Sequence, residues 1–381
     1  MVHSITAPKG ILGHRLACLR RPLLALVLSM TGGCQWLHTG NPAAFRPQEA
    51  RTIRTIGACG ASGVTCRDSI DIVAMGVSGY LIIPWRDTTQ LVMTPPSYTN
   101  PTLWWMALGD WWLGSSPDRA RVARRLRDIP AAGPDRLARV RAILVGHGHY
   151  DHLMDLPPLA PLLHNATVYG SETVARLLAP TTLHTMAVDS LIGTDAQHPG
   201  RSFAVGNTTD NTIRVRAIEW EHAPNIGNLT IADGEQHELR RRLPRSVHGW
   251  KKGRVLAYAI DMGMRTDSVD VRLFMHDAAA SPDVVRRAAA VLETMPRARH
   301  TIAIIAAANF DQAHAYPDIL LAHLAPEHVI LGHWEDFFRS PEKSPRIVRG
   351  IKGRDLVRIV ERFQGAQWTA LAPGATLRLR F

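Results

Sequence analysis

His147-Gly148-His149-Tyr150-Asp151-His152 stands directly behind the apolar run 142–145 and Gly146. Four side chains able to bind a metal occupy six positions at the end of a buried-strand pattern. In extended backbone His147 and His149 point the same way, because side chains alternate along a strand. Asp151 and His152 then turn toward a neighbouring point. One loop thus offers two ligands to one ion and two to another. Imidazole with carboxylate suits zinc or a similar borderline ion.

The chain around this loop has 381 residues, 46% hydrophobic and 20% charged. That composition excludes collagen-like, low-complexity and disulfide-dense chains and allows a large core. Apolar strand-like runs cover 70–77, 79–83, 90–94, 142–145, Ile213–Trp220, 255–260, 301–307, 328–331 and 377–381. Helical patterns cover 117–129, 171–178, 283–294, 317–324 and 353–363. The alternation has no clear internal linker, so residues 53–381 read as one α/β domain. The stretch 235–254 is polar and basic and reads as a surface loop, whereas the Trp-rich stretch 104–112 reads as ordinary core.

Residues 1–33 read as a removable export signal: a basic start with Lys9, Arg15, Arg20 and Arg21, an apolar run at 23–30, then Thr31-Gly32-Gly33-Cys34. The run is too short for a bilayer core of about 30 Å. Gly32-Gly33-Cys34 resembles the end of a bacterial lipoprotein signal, which implies lipidation of Cys34 and a periplasmic or membrane-anchored protein. Residues 34–52 read as a linker. Cys59 and Cys66 bracket a short Gly-containing loop that can close as a disulfide in an oxidising compartment. The formal charge is +11, from 44 Lys and Arg against 33 acids. A positive balance attracts phosphate groups, whether of nucleic acid or lipid. No basic stripe or nucleic-acid appendage is present, so no nucleic-acid partner is expected and the substrate is expected to be a small molecule or a lipid.

The HxHxDH string resembles the metallo-β-lactamase superfamily, whose fold is an αββα four-layer sandwich with the metals at one edge between two sheets. The resemblance runs from about residue 70 to 340. It implies two divalent ions: His147, His149 and His222, at the end of 218–222, hold one, and Asp151, His152 and His333, after 329–332, hold the other. In 257–263 the same resemblance makes Asp261 the bridging ligand. Asp151 is further expected to orient or deprotonate the shared water, and His276, after the strand 271–275, to face substrate. His314 and Tyr316 rank lower as cleft residues. The wording from His149 to Leu153 and the string 91–101 resemble the N-acyl-phosphatidylethanolamine phospholipase D-like branch. That branch carries an Asp where this chain has Thr94. The implied activity is hydrolysis of a phospholipid-like phosphodiester. A lactone, ester or β-lactam hydrolase, or a non-catalytic envelope binding protein, is the alternative.

Overall fold

Strands whose two faces are both apolar must be covered on both sides, and that requirement sets the layering here. The computed structural model describes residues 42–49, 52–56, 69–84, 88–206, 213–224, 230–264, 267–364 and 367–381. The expected export signal and Cys34, Cys59 and Cys66 lie outside the described residues.

The strands β1 (Ile53–Ile56), β2 (Ser69–Gly76), β3 (Gly79–Pro84), β4 (Leu91–Met93), β5 (Val140–Leu144), β6 (Thr167–Gly170) and β7 (His184–Ala187) belong to one mixed sheet. The strands β8 (Phe203–Ala204), β9 (Ile213–Trp220), β10 (Val255–Met264), β11 (Ser268–Met275), β12 (Arg297–Ala306), β13 (His328–Gly332) and β14 (Trp368–Ala370) form the other. The last strand, β15 (Thr376–Arg380), returns to the first sheet between β1 and β2. Alternation then divides the core. Ile70, Ile72, Val92, Ala142 and Leu144 meet Leu256, Tyr258, Ile260, Leu273 and Ile304 between the sheets. Their neighbours in sequence, among them Val73, Met93, Ile143, Ala257, Ala259 and Phe274, face outward under the helices. Helix Pro282–Glu293 buries Val284, Val285, Ala288 and Leu292 on that outer face, with Pro at its first turn as helix starts favour. The result is the expected four-layer αββα sandwich.

Strand direction decides which residues can meet at one edge of the sandwich. Strand β10 is antiparallel to both β9 and β11, whereas β11, β12 and β13 run parallel. The C-terminal ends of β9, β11 and β13 therefore share one edge, and that of β10 lies at the opposite one. Residues 42–49, inside the stretch read as a linker, pack on this body. Phe45 is fully buried against Trp334, and Gln48 hydrogen-bonds the backbone of Ala370 and Thr376.

The strands β6, β7 and β8 have no counterpart in the sequence pattern, because they are short and β7 has no residue shielded enough to show alternation. The Trp-rich stretch differs more. It folds as a helix over 103–113 with a π-helical turn at Trp105–Gly109, and most of its large apolar side chains are exposed rather than in the core. No helix among the described residues is long and apolar enough to cross a membrane.

Candidate metal centre

The signature loop leaves β5 and is held from both sides. Tyr258 Oη donates to the Val145 carbonyl at 2.9 Å, Leu256 N donates to Gly146 O at 2.8 Å, and Gly148 N donates to Lys252 O at 2.8 Å. His149 is extended and starts the single turn Tyr150–Leu153, which redirects Asp151 and His152 as the sequence implies. Below that turn the buried Asp155 carboxylate accepts Tyr98 N, Thr99 N and Thr99 Oγ1, each at 2.6 Å. This fastens the 95–101 loop to the signature. Thr94 has no contact with the centre; its hydroxyl accepts from Tyr80 N and donates to Ser78 O inside the β3–β4 pairing.

The other site residues arrive from the ends of β9, β11 and β13. Three groups of ligand atoms lie within 4.8 Å of one another: His147, His149 and His222; Asp151, His152 and His333; and, between them, His147, His152 and Asp277. His147 Nδ1 is 3.0 Å from Asp277 Oδ1, and His152 Nδ1 is 3.4 Å from Asp277 Oδ2. His333 Nε2 lies 3.3 Å from Asp151 Oδ2. His222 donates Nδ1–H to the Ala223 carbonyl at 2.6 Å, which leaves Nε2 as an acceptor facing His147 and His149.

Two of the expected assignments change. Asp261 is not part of the centre. It sits seventh in the ten-residue β10, on the outer face, directly across from Arg272. Arg272 Nε and Nη2 reach its two oxygens at 2.7 and 2.9 Å. Because β10 runs away from the ligand edge, no residue near its C-terminus can reach the ligand cluster. Asp277 instead lies between the two ligand groups, one oxygen toward His147 and the other toward His152. His276, expected to face substrate, is buried; it stacks on Trp220 at 4.6 Å and donates Nδ1–H to Ala278 O at 2.8 Å. Tyr316 packs against its edge and donates to the Ala306 carbonyl. The signal for Asp277 is present in the sequence: it lies just past the apolar end of a strand, as His147, His222 and His333 do.

The residues present fit metal ions. His149 Nε2, His152 Nε2 and His333 Nδ1 are buried without a hydrogen-bond partner. Each such atom costs roughly 1–3 kcal/mol, and His152 Nε2, 3.6 Å from Asp151, is the one that faces the Asp151–His333 group and indicates a ligand to be bound there. His147 Nε2 and His149 Nδ1 approach to 2.9 Å, a distance two ring nitrogens keep only with a proton or cation to share. Burial also sets the protonation states. It lowers His147 and His149 well below the ordinary imidazole value of 6.5, and takes His152 down to about 3. Burial alone would raise Asp151, but His152 and His333 hold it below the usual carboxylate range. Neutral imidazoles and an ionised carboxylate are the forms that bind metal.

Gly146 is required by this packing. A Cβ there would lie 2.3 Å from Asp277 Oδ2. Gly146→Ala is therefore expected to displace Asp277 and weaken metal binding about 10–100-fold. Titration of the metal-depleted variant with zinc checks this, and wild-type affinity would show that Asp277 has room to move.

Over the cluster opens a narrow cleft of about 30 Å³ lined by Met106, His149, Ala279, Asn309 and Phe338 among others. The sequence profile of the β-lactamase superfamily domain matches residues 114–334, which span every ligand named above. A UPF0173 metal-dependent hydrolase of Cupriavidus taiwanensis is 32% identical over 126 residues, which span 33% of this chain and 38% of that relative. Among solved structures, Igni18, a metallo hydrolase of Ignicoccus hospitalis, covers 82% of this chain and 99% of its own at 12% identity and a TM-score of 0.46. Unliganded yeast PDE1 covers 82% and 100% at 10% identity, with the same TM-score. On the profile match, with the four-layer sandwich and the HxHxDH loop at its sheet edge, the chain belongs to the metallo-β-lactamase superfamily.

Proposed function

We propose that this protein is an exported, binuclear metal-dependent hydrolase, with zinc as its ions, acting on a phosphodiester with apolar arms. The observation that carries this reading is the meeting of two ligand groups at Asp277 beneath an apolar-walled cleft. His147, His149 and His222 would hold one ion and Asp151, His152 and His333 the other. Bound there, two divalent ions supply Lewis acidity and acidify a shared water toward neutrality.

The chain's own residues do the rest. Asp277 accepts from His147 Nδ1 and so fixes the tautomer that turns Nε2 into the cluster. Asp151, kept ionised by its histidine neighbours, is placed to hold and orient the shared water. Met106, Phe337 and Phe338 exclude water and accept apolar substrate arms. A phosphodiester carries one negative charge, which the ions themselves can neutralise. Among the described residues the cleft walls include no Lys or Arg, so a phosphate monoester with its second charge is served less well. That same lack of a cation favours a neutral ester or lactone as the second reading. The export segment and the wording shared with the phospholipase D-like branch support the lipid diester.

The test is a panel with zinc-loaded protein: bis(p-nitrophenyl) phosphate, p-nitrophenyl phosphate, p-nitrophenyl butyrate, a δ-lactone and a chromogenic cephalosporin. Diester turnover at least about tenfold above the others is expected. Turnover of the ester or lactone without the diester would replace this reading with the second. A loaded protein that turns over none of them would be a binding protein.

A further inference from the structure

We propose that the helix over 103–113, with the basic loop fastened to it, is a docking face for an anionic phospholipid bilayer. The inference does not depend on which bond the metal centre cleaves. Trp104, Trp105, Leu108, Trp111, Trp112 and Leu113 are all exposed, Trp112 by 81% and Leu113 by 76%. Positions 104, 108, 111 and 112 recur at helical spacing and share one face. A monomeric protein rarely leaves an apolar patch of more than a few hundred Å² in water. Tryptophan is the side chain suited to a membrane–water interface, because its ring is apolar and its N–H is polar.

The helix is rigidly joined to a cationic partner. Buried Asp110 accepts Val247 N at 3.0 Å and the Ser246 hydroxyl, Ser115 N donates to Arg245 O at 2.6 Å, and Trp111 stacks on His248 at 4.7 Å. The loop that leads into these contacts carries Arg241, Arg242 and Arg245, all exposed. Apolar rings beside exposed arginines match a surface of acyl chains under anionic headgroups. A second copy of this chain is a poorer match, since a two-fold contact would set the same arginines against one another. Docking also has a consequence for access. Met106 lies on this helix and lines the cleft together with His149 and Tyr150, so a docked protein presents the mouth of its cleft to the lipid.

The experiment is sedimentation of the full-length protein with vesicles of phosphatidylcholine, and of phosphatidylcholine containing phosphatidylglycerol. The wild type is expected to partition onto the phosphatidylglycerol vesicles. Trp104→Ser/Trp112→Ser should lower that partition about tenfold or more, and Arg241→Glu/Arg242→Glu should abolish the preference for the anionic lipid. The apolar run 23–30 is common to all three proteins, so it cannot produce these differences, and thermal melting confirms that the variants are folded. Equal partition of wild type and Trp variant, or no binding to either vesicle, would overturn the proposal. A concentration-dependent dimer that dissolves in the Trp variant would assign the face to a second copy and overturn it as well.

Discussion

Asp277→Asn is expected to lower turnover about a hundredfold or more and to cost the protein bound metal, while its melting temperature in the metal-free state changes little. The carboxylate stands 3.0 Å from His147 Nδ1 and 3.4 Å from His152 Nδ1, one nitrogen from each ligand group. Asparagine keeps the shape but presents one oxygen instead of two. Its amide also turns an N–H toward a ring nitrogen that is itself a donor. One imidazole then loses the partner that fixes its tautomer, and the centre loses the negative charge between the two ion positions. Loss of such a partner costs about 10–100-fold in affinity, and Asp277 is that partner for both ligand groups. Zinc titration of the variant and its rate on a confirmed substrate measure both effects. Wild-type values for both would remove Asp277 from the centre.

Asp261→Ala should do the opposite: retain the metal and lose stability. Asp261 and Arg272 form a paired, nearly dry ion pair across β10 and β11, with side chains 4% and 8% exposed. Removing one member of such a pair leaves the other buried and uncompensated, at about 3–5 kcal/mol. Among the described residues Arg272 keeps the Pro296 carbonyl as its one further acceptor, at 2.8 Å. The double change Asp261→Leu/Arg272→Met removes both charges and should restore much of the loss, since an apolar pair of similar volume carries no desolvation cost. Chemical denaturation of the three proteins reads this directly. A stable Asp261→Ala protein that has lost its metal would return Asp261 to the bridging role.

The contrast between these two aspartates shows what a sequence carries and what it omits. Periodicity exposes the strands that build the sandwich, because β2, β3, β9, β10 and β13 are long or fully apolar. The signature loop is legible for a similar reason: its four ligands are local, and the alternation of an extended chain followed by one helical turn divides them. His222 and His333 are legible as polar residues closing apolar strands. Asp261 has the same apolar neighbours, but a sequence does not state which way a strand runs. Only the antiparallel pairing of β10 reveals that its end points away from the metals. Asp277 obeys the strand-end rule but is masked by its neighbour, since a histidine draws attention as a proton carrier. His276 in fact closes the packing of Trp220 and Tyr316. The tryptophans mislead in another way. Counting apolar residues places them in the core, yet the burial of Asp110 fixes the rotation of their helix and turns the rings outward.

Asp277 is proposed to hold a two-ion centre together. That role is tested most directly by the metal content per chain of the wild type, Asp277→Asn and Asp261→Ala, each purified without chelator and reconstituted with zinc. About two ions are predicted for the wild type and for Asp261→Ala, and about one or none for Asp277→Asn. No retained metal in the wild type, or the full complement in Asp277→Asn together with its loss in Asp261→Ala, would contradict it.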